Sequence, residues 1–384
     1  MLNFPLTHTD FLTNYFEQKP IFCSGALHES LFTWQDIDAL LNTQEPDERR
    51  TQMFLNGQVP PQHFLDDIFE FGRVKKRINK DRFYKLLQHG ATLVINQAED
   101  VSTPAKRLCA DIGKFVHQTT SCNAYVSAEA AGTFGKHWDT HDVFAVQLIG
   151  KKHWQLFEPT LPLPLSYQTS SKFAPPSRAP DFECTMCEGD VLYVPRGWWH
   201  EVTPVTGESL HLSVGTYPPT TLDYVMWICR TQLPQLLDAR KTCSINADDP
   251  AFAQTMLHLM QEAINQHNLD GFISKHRSGE KLNGEFHTEF ALQKLNFSDD
   301  LEVSLASVYT FVSNTNEISV NDINLNLNVS GRAVVELLQK RGTLCWDDIR
   351  NQLSEIPAES LQQTVLDLSC YELINLHVPK RSKN

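Results

Sequence analysis

Apolar positions at helical spacing open the chain: Phe11, Leu12, Tyr15 and Phe16 share one face before Lys19-Pro20 ends the run. Further short helices are predicted at Asp36-Ile37-Asp38-Ala39-Leu40-Leu41 and Phe83-Tyr84-Lys85-Leu86-Leu87, so the first ninety or so residues read as helix and loop. From Ala91 the period changes toward two. Ala91-Thr92-Leu93-Val94-Ile95 and Asn123-Ala124-Tyr125-Val126-Ser127 read as strands, and strands dominate to about Tyr217. The segment from Val143 to Ile149, then Gly150-Lys151, then Lys152 to Phe157 predicts a hairpin, because glycine in the turn accepts positive φ. Pro159 to Pro180, rich in Pro and Ser, predicts a loop; Asp190 to Pro195 and Ser209 to Val214 return to strand. Many short strands separated by loop signals predict a sandwich or barrel of the jelly-roll kind.

After Pro219 the period is helical again. Leu222, Val225, Met226 and Cys229 share one face, as do Phe252, Met256, Leu259, Met260 and Ile264. This middle stretch is too thin for an independent globule, and Gly271 to Asn283 is polar enough to serve as a linker. From about Leu301 a third unit is predicted. Arg332 to Arg341 is an amphipathic helix stopped by Gly342, a second helix runs through Ile349 and Leu353, and Pro357 starts a third with Leu361, Val365 and Leu368 facing inward. With Leu373-Ile374-Asn375-Leu376 as a returning strand, the order suggests a winged helix. The expected division is therefore 1–220, with the barrel at about 91–217, then 221–290 and 300–384.

Length agrees with several units, since 384 residues exceed what one core usually holds. No apolar run reaches membrane-spanning length, and Met1-Leu2-Asn3-Phe4-Pro5 lacks the order of a secretory signal, so a soluble, cytoplasmic protein with no membrane partner is expected. Nine cysteines without framework spacing suit a reducing compartment, and Cys184 and Cys187 read as two ordinary thiols. A net charge of −13 opposes non-specific nucleic-acid binding and favours a basic partner. The helix from Pro357 to Leu368 carries Glu359 and Asp367 but no Lys or Arg, which argues the same way; Lys380-Arg381-Ser382-Lys383 reads as a solvated tail.

The chemistry concentrates in Lys136-His137-Trp138-Asp139-Thr140-His141-Asp142. On a strand, His137 and Asp139 project to one side, close enough to chelate one ion. A third donor, His200, follows the turn in Pro195-Arg196-Gly197-Trp198-Trp199-His200, and antiparallel pairing can bring it beside His137. Two imidazoles and one carboxylate occupy one face of an octahedron and leave the other open, which suits non-haem Fe(II); a structural metal site would be closed by four ligands. The open positions admit a bidentate 2-oxo acid and dioxygen. Lys152 shares its strand face with Trp154 and Leu156, so its amine would point into an apolar barrel and require an anion, which the distal carboxylate of 2-oxoglutarate supplies. A register shifted by one residue would put Lys151 inside instead. His141 falls on the face of His137 and Asp139, either at the substrate mouth or in a local hydrogen bond. His211 is a candidate for contacting the cosubstrate.

These residues resemble the JmjC oxygenases, and within them the ribosomal oxygenases, which hydroxylate side chains of ribosomal proteins. The resemblance is carried by Asn123-Ala124-Tyr125, His137-Trp138-Asp139, Asp142 to Gln147, Gly150-Lys151-Lys152-His153-Trp154, Gly189 to Gly197, and His200. It implies a mainly β protein with α additions. The core would be a double-stranded β-helix of the JmjC, cupin-like jelly-roll type, followed by a helical dimerisation segment and a C-terminal winged-helix domain. It also implies Fe(II) on His137, Asp139 and His200, with 2-oxoglutarate held by Lys152, Asn123 and His211 and dioxygen as the other cosubstrate. The partner would be a protein or peptide, basic or ribosomal, and the chain a homodimer formed through the helices after Pro219. The approach to His137, Ala128 to Lys136, departs from the family's usual Gly- and Pro-rich form, and Trp198-Trp199 is more like asparaginyl and lysyl hydroxylases of the wider group.

Three rival readings stand beside this one, and only the first uses every residue named. Hydroxylation of an N-methyl carbon would make the chain a demethylase. A cupin isomerase or metal hydrolase would want a further carboxylate or tetrahedral closure and leaves Lys152 without a role. A non-catalytic peptide- or DNA-binding protein would act through the winged helix.

Overall fold

The computed structural model describes residues 2–28, 32–43, 45–128, 134–205, 207–242, 250–264, 266–278, 286, 288, 297–307, 317–320 and 323–377. The end of the expected linker (279–283), most of 279–290 in the expected dimerisation segment, residues 129–133 of the approach to His137, and the basic tail 380–383 lie outside them. The described residues fall into two compact units, 1–217 and 218–384.

The first unit begins with helix α1 (His8–Asn14), whose Thr7 cap accepts from the Asp10 N–H while Asp10 receives the cap's own N–H. Then follow β1 (Ile21–Cys23), α2 (Trp34–Thr43), β2 (Thr51–Phe54), β3 (Leu65–Glu70), β4 (Arg73–Ile78), α3 (Lys80–Gln88), β5 (Thr92–Ile95) and α4 (Thr103–Val116). The expectation of helix and loop before residue 90 therefore needs correction, since four strands lie there. β3 and β4 pair only with each other and carry charged residues and exposed Phe69 and Val74, so no buried alternation marks them.

The remaining strands are β6 (Thr120–Ser127), β7 (Asp142–Ile149), β8 (Lys152–Phe157), β9 (Phe182–Met186), β10 (Val191–Val194), β11 (Trp199–Pro204) and β12 (Ser209–Thr216). One sheet has the order β1-β10-β7-β12-β6-β5-β2 and the other β11-β8-β9, with every pairing antiparallel. The predicted hairpin is thus corrected: β7 and β8 are consecutive but lie in different sheets. Gly150, at φ +70°, makes the crossing, and a Cβ there would come 2.2 Å from the carbonyl oxygen of Glu208. Side chains from the two sheets meet in a small core of Ala145, Trp154, Leu156, Met186, Leu192 and Val194, while the larger core joins the outer face of the seven-stranded sheet to the helices. This is a jelly-roll arrangement with both faces of the larger sheet in use.

The second unit contains α5 (Thr221–Thr231), α6 (Pro250–Ala263) and α7 (Gln266–Ser278), then β13 (Glu302–Leu305), β14 (Glu317–Val320), β15 (Ile323–Asn326), α8 (Val329–Arg341), β16 (Leu344–Cys345), α9 (Trp346–Gln352), α10 (Ala358–Cys370) and β17 (Ile374–His377). α8 stops at Gly342, at φ +80°, and α10 starts after Pro357. β13 lies between β16 and β17, and this small sheet packs with α8, α9 and α10 around Val334, Leu338, Ile349, Leu361, Val365 and Leu376.

Candidate metal and cosubstrate site

His137 and Asp139 do not sit on a regular strand. His137 forms an isolated antiparallel bridge to His200, with each backbone N–H donating to the other's carbonyl at 3.1 and 2.7 Å. That bridge, rather than a long ladder, brings the two imidazoles together at a centroid distance of 4.3 Å. Asp139 is tied in by its own carbonyl, which accepts from Gly197 N at 3.0 Å. Gly197 has φ +85°, and a Cβ there would lie 2.7 Å from the Leu161 carbonyl oxygen, so the turn before His200 requires glycine.

A buried polar bracket fixes the turn between Asp139 and β7. Asp142 accepts from Tyr193 Oη at 2.6 Å and from Arg196 N at 3.0 Å, and the Arg196 guanidinium lies 3.6 Å from Asp142 and 2.6 Å from Glu17. Burial raises the Asp142 carboxyl above its ordinary value; the bonds from Tyr193 and Arg196 oppose this without overcoming it. The bracket joins Glu17, beyond the end of α1, the start of β7 and the turn before β11, so it positions two of the three donors from behind.

One nitrogen from each of His137 and His200 and one oxygen from Asp139 lie within 4.8 Å of one another, and His200 Nε2 is 3.7 Å from Asp139 Oδ2. Burial, then the neighbouring His137, push the His200 imidazole down to about 4, which keeps it neutral and available as a donor. Burial raises the Asp139 carboxyl, but electrostatic interaction with the neighbouring His200, His137 and His141 outweighs this and holds it below the usual range. Two imidazoles with a carboxylate, open on one side to a cavity, fit a divalent iron ion.

The cavity, of about 80 Å³, is lined by all three donors together with Lys152, His211, Tyr125 and Trp154. Lys152 is 4% exposed whereas Lys151 is exposed, so the shifted register does not occur. Burial drives the Lys152 amine down to about 7. Its Nζ lies 2.8 Å from His211 Nδ1, and among the described residues no carboxylate pairs with it. His211 is held well below its ordinary value by burial, then by Lys152 and His200, so its Nδ1 accepts from the amine. Its ring stacks on Tyr125 at 4.8 Å. A buried amine that lines a cavity with no carboxylate beside it among the described residues is suited to an anion.

Asn123 is not among the cavity-lining residues. Its Oδ1 accepts from Gln97 N at 3.2 Å, and its side chain bonds Tyr125, which does line the cavity. His141 is not at the lining either; it stacks on Tyr217 at 5.0 Å. Sequence reasoning did not assign Tyr125, although it shares the β6 face of Asn123 two residues on. Thr92, Ser127 and Ser213 were also unassigned; their register in β5, β6 and β12 emerges only from sheet pairing.

Fold and site geometry can be set beside known proteins. Residues 96–224 match the model of the JmjC domain. Its relatives include the bifunctional lysine-specific demethylase and histidyl-hydroxylase NO66 of Drosophila pseudoobscura pseudoobscura, 26% identical over 224 residues, which cover 56% of this chain and 22% of that protein. Ribosomal oxygenase 2 of Bos taurus is 26% identical over 230 residues, covering 56% of this chain and 46% of that one. The chain thus spans between 22% and 46% of the length of these curated relatives. Among solved structures, ycfD of E. coli aligns with a TM-score of 0.62 at 14% identity over 98% of this chain and 100% of that one. YcfD described as a ribosomal oxygenase in complex with cobalt and 2-oxoglutarate aligns at 0.60, also at 14% identity, with the same coverage of both chains. At this identity the likeness establishes a shared fold.

Proposed function

We propose that this chain is an Fe(II)- and 2-oxoglutarate-dependent protein hydroxylase. The observation that carries the reading is one cavity lined at once by His137, Asp139 and His200 and by the buried, carboxylate-free Lys152. The overall conversion consumes dioxygen and 2-oxoglutarate and returns succinate, CO2 and a hydroxylated side-chain carbon.

Iron bound by His137, Asp139 and His200 would supply redox activation of dioxygen and chelation of the 2-oxo acid. Lys152 would pair with the distal carboxylate, and His211 and Tyr125 would complete that end of the pocket. Asn123 is assigned a supporting part through Tyr125. Trp154, buried in the lining, and Trp138 and Trp199, packed against each other beside the donors, would keep water from the reacting centre.

The relatives named ribosomal oxygenase and histidyl-hydroxylase support a ribosomal protein as target, and a net charge of −13 would favour a basic one. The domain reading is 1–220 for the oxygenase unit, 221–290 for a helical dimerisation segment and 300–384 for a winged helix without direct nucleic-acid contact. The apolar residues Leu222, Met226, Phe252, Met256 and Leu257 stay exposed within the single chain, which supports a homodimer formed there. Unpaired thiols, including Cys184 and Cys187, support a reducing, cytoplasmic setting, and no helix among the described residues is long and apolar enough to cross a membrane.

The test is peptide mass spectrometry of host ribosomal proteins with and without the active chain. Gain of one oxygen on a side chain is expected; release of formaldehyde from a methylated lysine instead would make it a demethylase.

A further inference from the structure

On the face of β6 opposite the cavity, Cys122 points into the core among Ala124 and Val126 and meets Cys109 of α4. Both are buried, at 1% and 4% exposure. Glu99 enters from a short turn at Ala98–Asp100, opened by Gln97 in the left-handed conformation at φ 52°, ψ 48°. That is a costly backbone state for a non-glycine residue, and Asn123 holds it in place by accepting from Gln97 N. The two thiol sulfurs and one Glu99 oxygen lie within 4.8 Å of one another.

We propose that Glu99, Cys109 and Cys122 form a second metal site, separate from the histidine-carboxylate centre, for a thiophilic divalent cation of the zinc type. Two sulfurs with one carboxylate is a donor set chosen by Zn²⁺ and its soft congeners over Fe²⁺ or Mg²⁺. The surrounding bonds hold the donors in orientation. Glu99 Oε2 accepts from Cys122 N at 2.9 Å, leaving the other carboxylate oxygen for a ligand, and Thr120 Oγ1 donates to the Cys109 carbonyl at 2.9 Å. Glu99 is half-exposed and so provides the entry path. Contact with Cys109, burial and the Glu99 carboxylate together raise the Cys122 thiol, as expected for crowded potential anions without a cation among them. Binding would displace both thiol protons to solvent as the two metal–sulfur bonds form.

The test uses full-length, reduced, chelator-treated protein titrated with Cd²⁺, whose thiolate charge-transfer absorption in the ultraviolet reports sulfur ligation and is silent at the His137 centre. The expected result is a band saturating near one equivalent with release of two protons, retained in His137→Ala and lost in Cys109→Ser and Cys122→Ser. Should the serine variants fail to fold, Glu99→Gln decides, because it keeps an acceptor for the Cys122 N–H; its Cd²⁺ affinity should fall roughly tenfold or more. No thiolate band, a band unchanged in Cys109→Ser, or unchanged affinity in Glu99→Gln would overturn the proposal.

Discussion

Lys152 is a buried base with no acidic partner among the described residues, and its cost to the empty protein can be measured. Its amine falls from the ordinary 10.5 to about 7 through burial, so between those values the unfolded chain binds more protons at this position than the folded one. Stability therefore rises with pH across that window. Lys152→Met should melt higher than the parent at pH 7, with the gap closing toward pH 10, as read by scanning calorimetry; a gap independent of pH would contradict the assignment. For binding the sign is reversed, since the protonated amine is the anion partner, so 2-oxoglutarate should bind more weakly to the parent as pH rises above about 7. In kinetics, Lys152→Ala should raise the KM for 2-oxoglutarate far more than it lowers kcat, whereas His137→Ala should abolish succinate formation. His137, Asp139, His200 and Lys152 were legible because each carries chemistry that its local pattern does not otherwise need. Tyr125 was not, since an aromatic on a strand reads as core until its neighbour across the sheet, His211, is known.

The two consecutive strands β7 and β8 look in sequence like the arms of a hairpin joined by glycine, but they serve opposite sheets. Local turn chemistry cannot distinguish the two, because Gly150 satisfies either; the choice is made by pairing with β12 and β11, both more than forty residues further on. The same glycine gives a test of the crossing. Gly150→Ala would place a methyl group 2.2 Å from the Glu208 carbonyl carbon's oxygen in a left-handed conformation, and should cost about 2 kcal/mol or more in urea unfolding. A neutral outcome would mean the crossing is looser than described. The hairpin of β3 and β4 escaped sequence reading because Leu65 is its one buried side chain, so no apolar alternation marks it, whereas the helices α8 and α10 were legible from Gly342, Pro357 and a regular apolar face.

At the scale of the molecule, the jelly roll was legible from the density of short strands, and its order was not, because that order depends on contacts distant along the chain. The dimer reading makes its own prediction. Met226→Glu, on an exposed apolar face of α5, should convert a dimer to a monomer in analytical ultracentrifugation while leaving the fold of the first unit intact by circular dichroism; an unchanged mass would place the interface elsewhere. Whether iron and 2-oxoglutarate share one cavity is decided by adding 2-oxoglutarate to the Fe(II)-loaded protein without oxygen. Chelation of the 2-oxo acid to ferrous iron gives a visible charge-transfer band. That band is expected in the parent chain, at higher 2-oxoglutarate concentrations in Lys152→Ala, and not in His137→Ala. Iron that binds without the band ever appearing, or a band that survives loss of His137, would contradict a shared cavity.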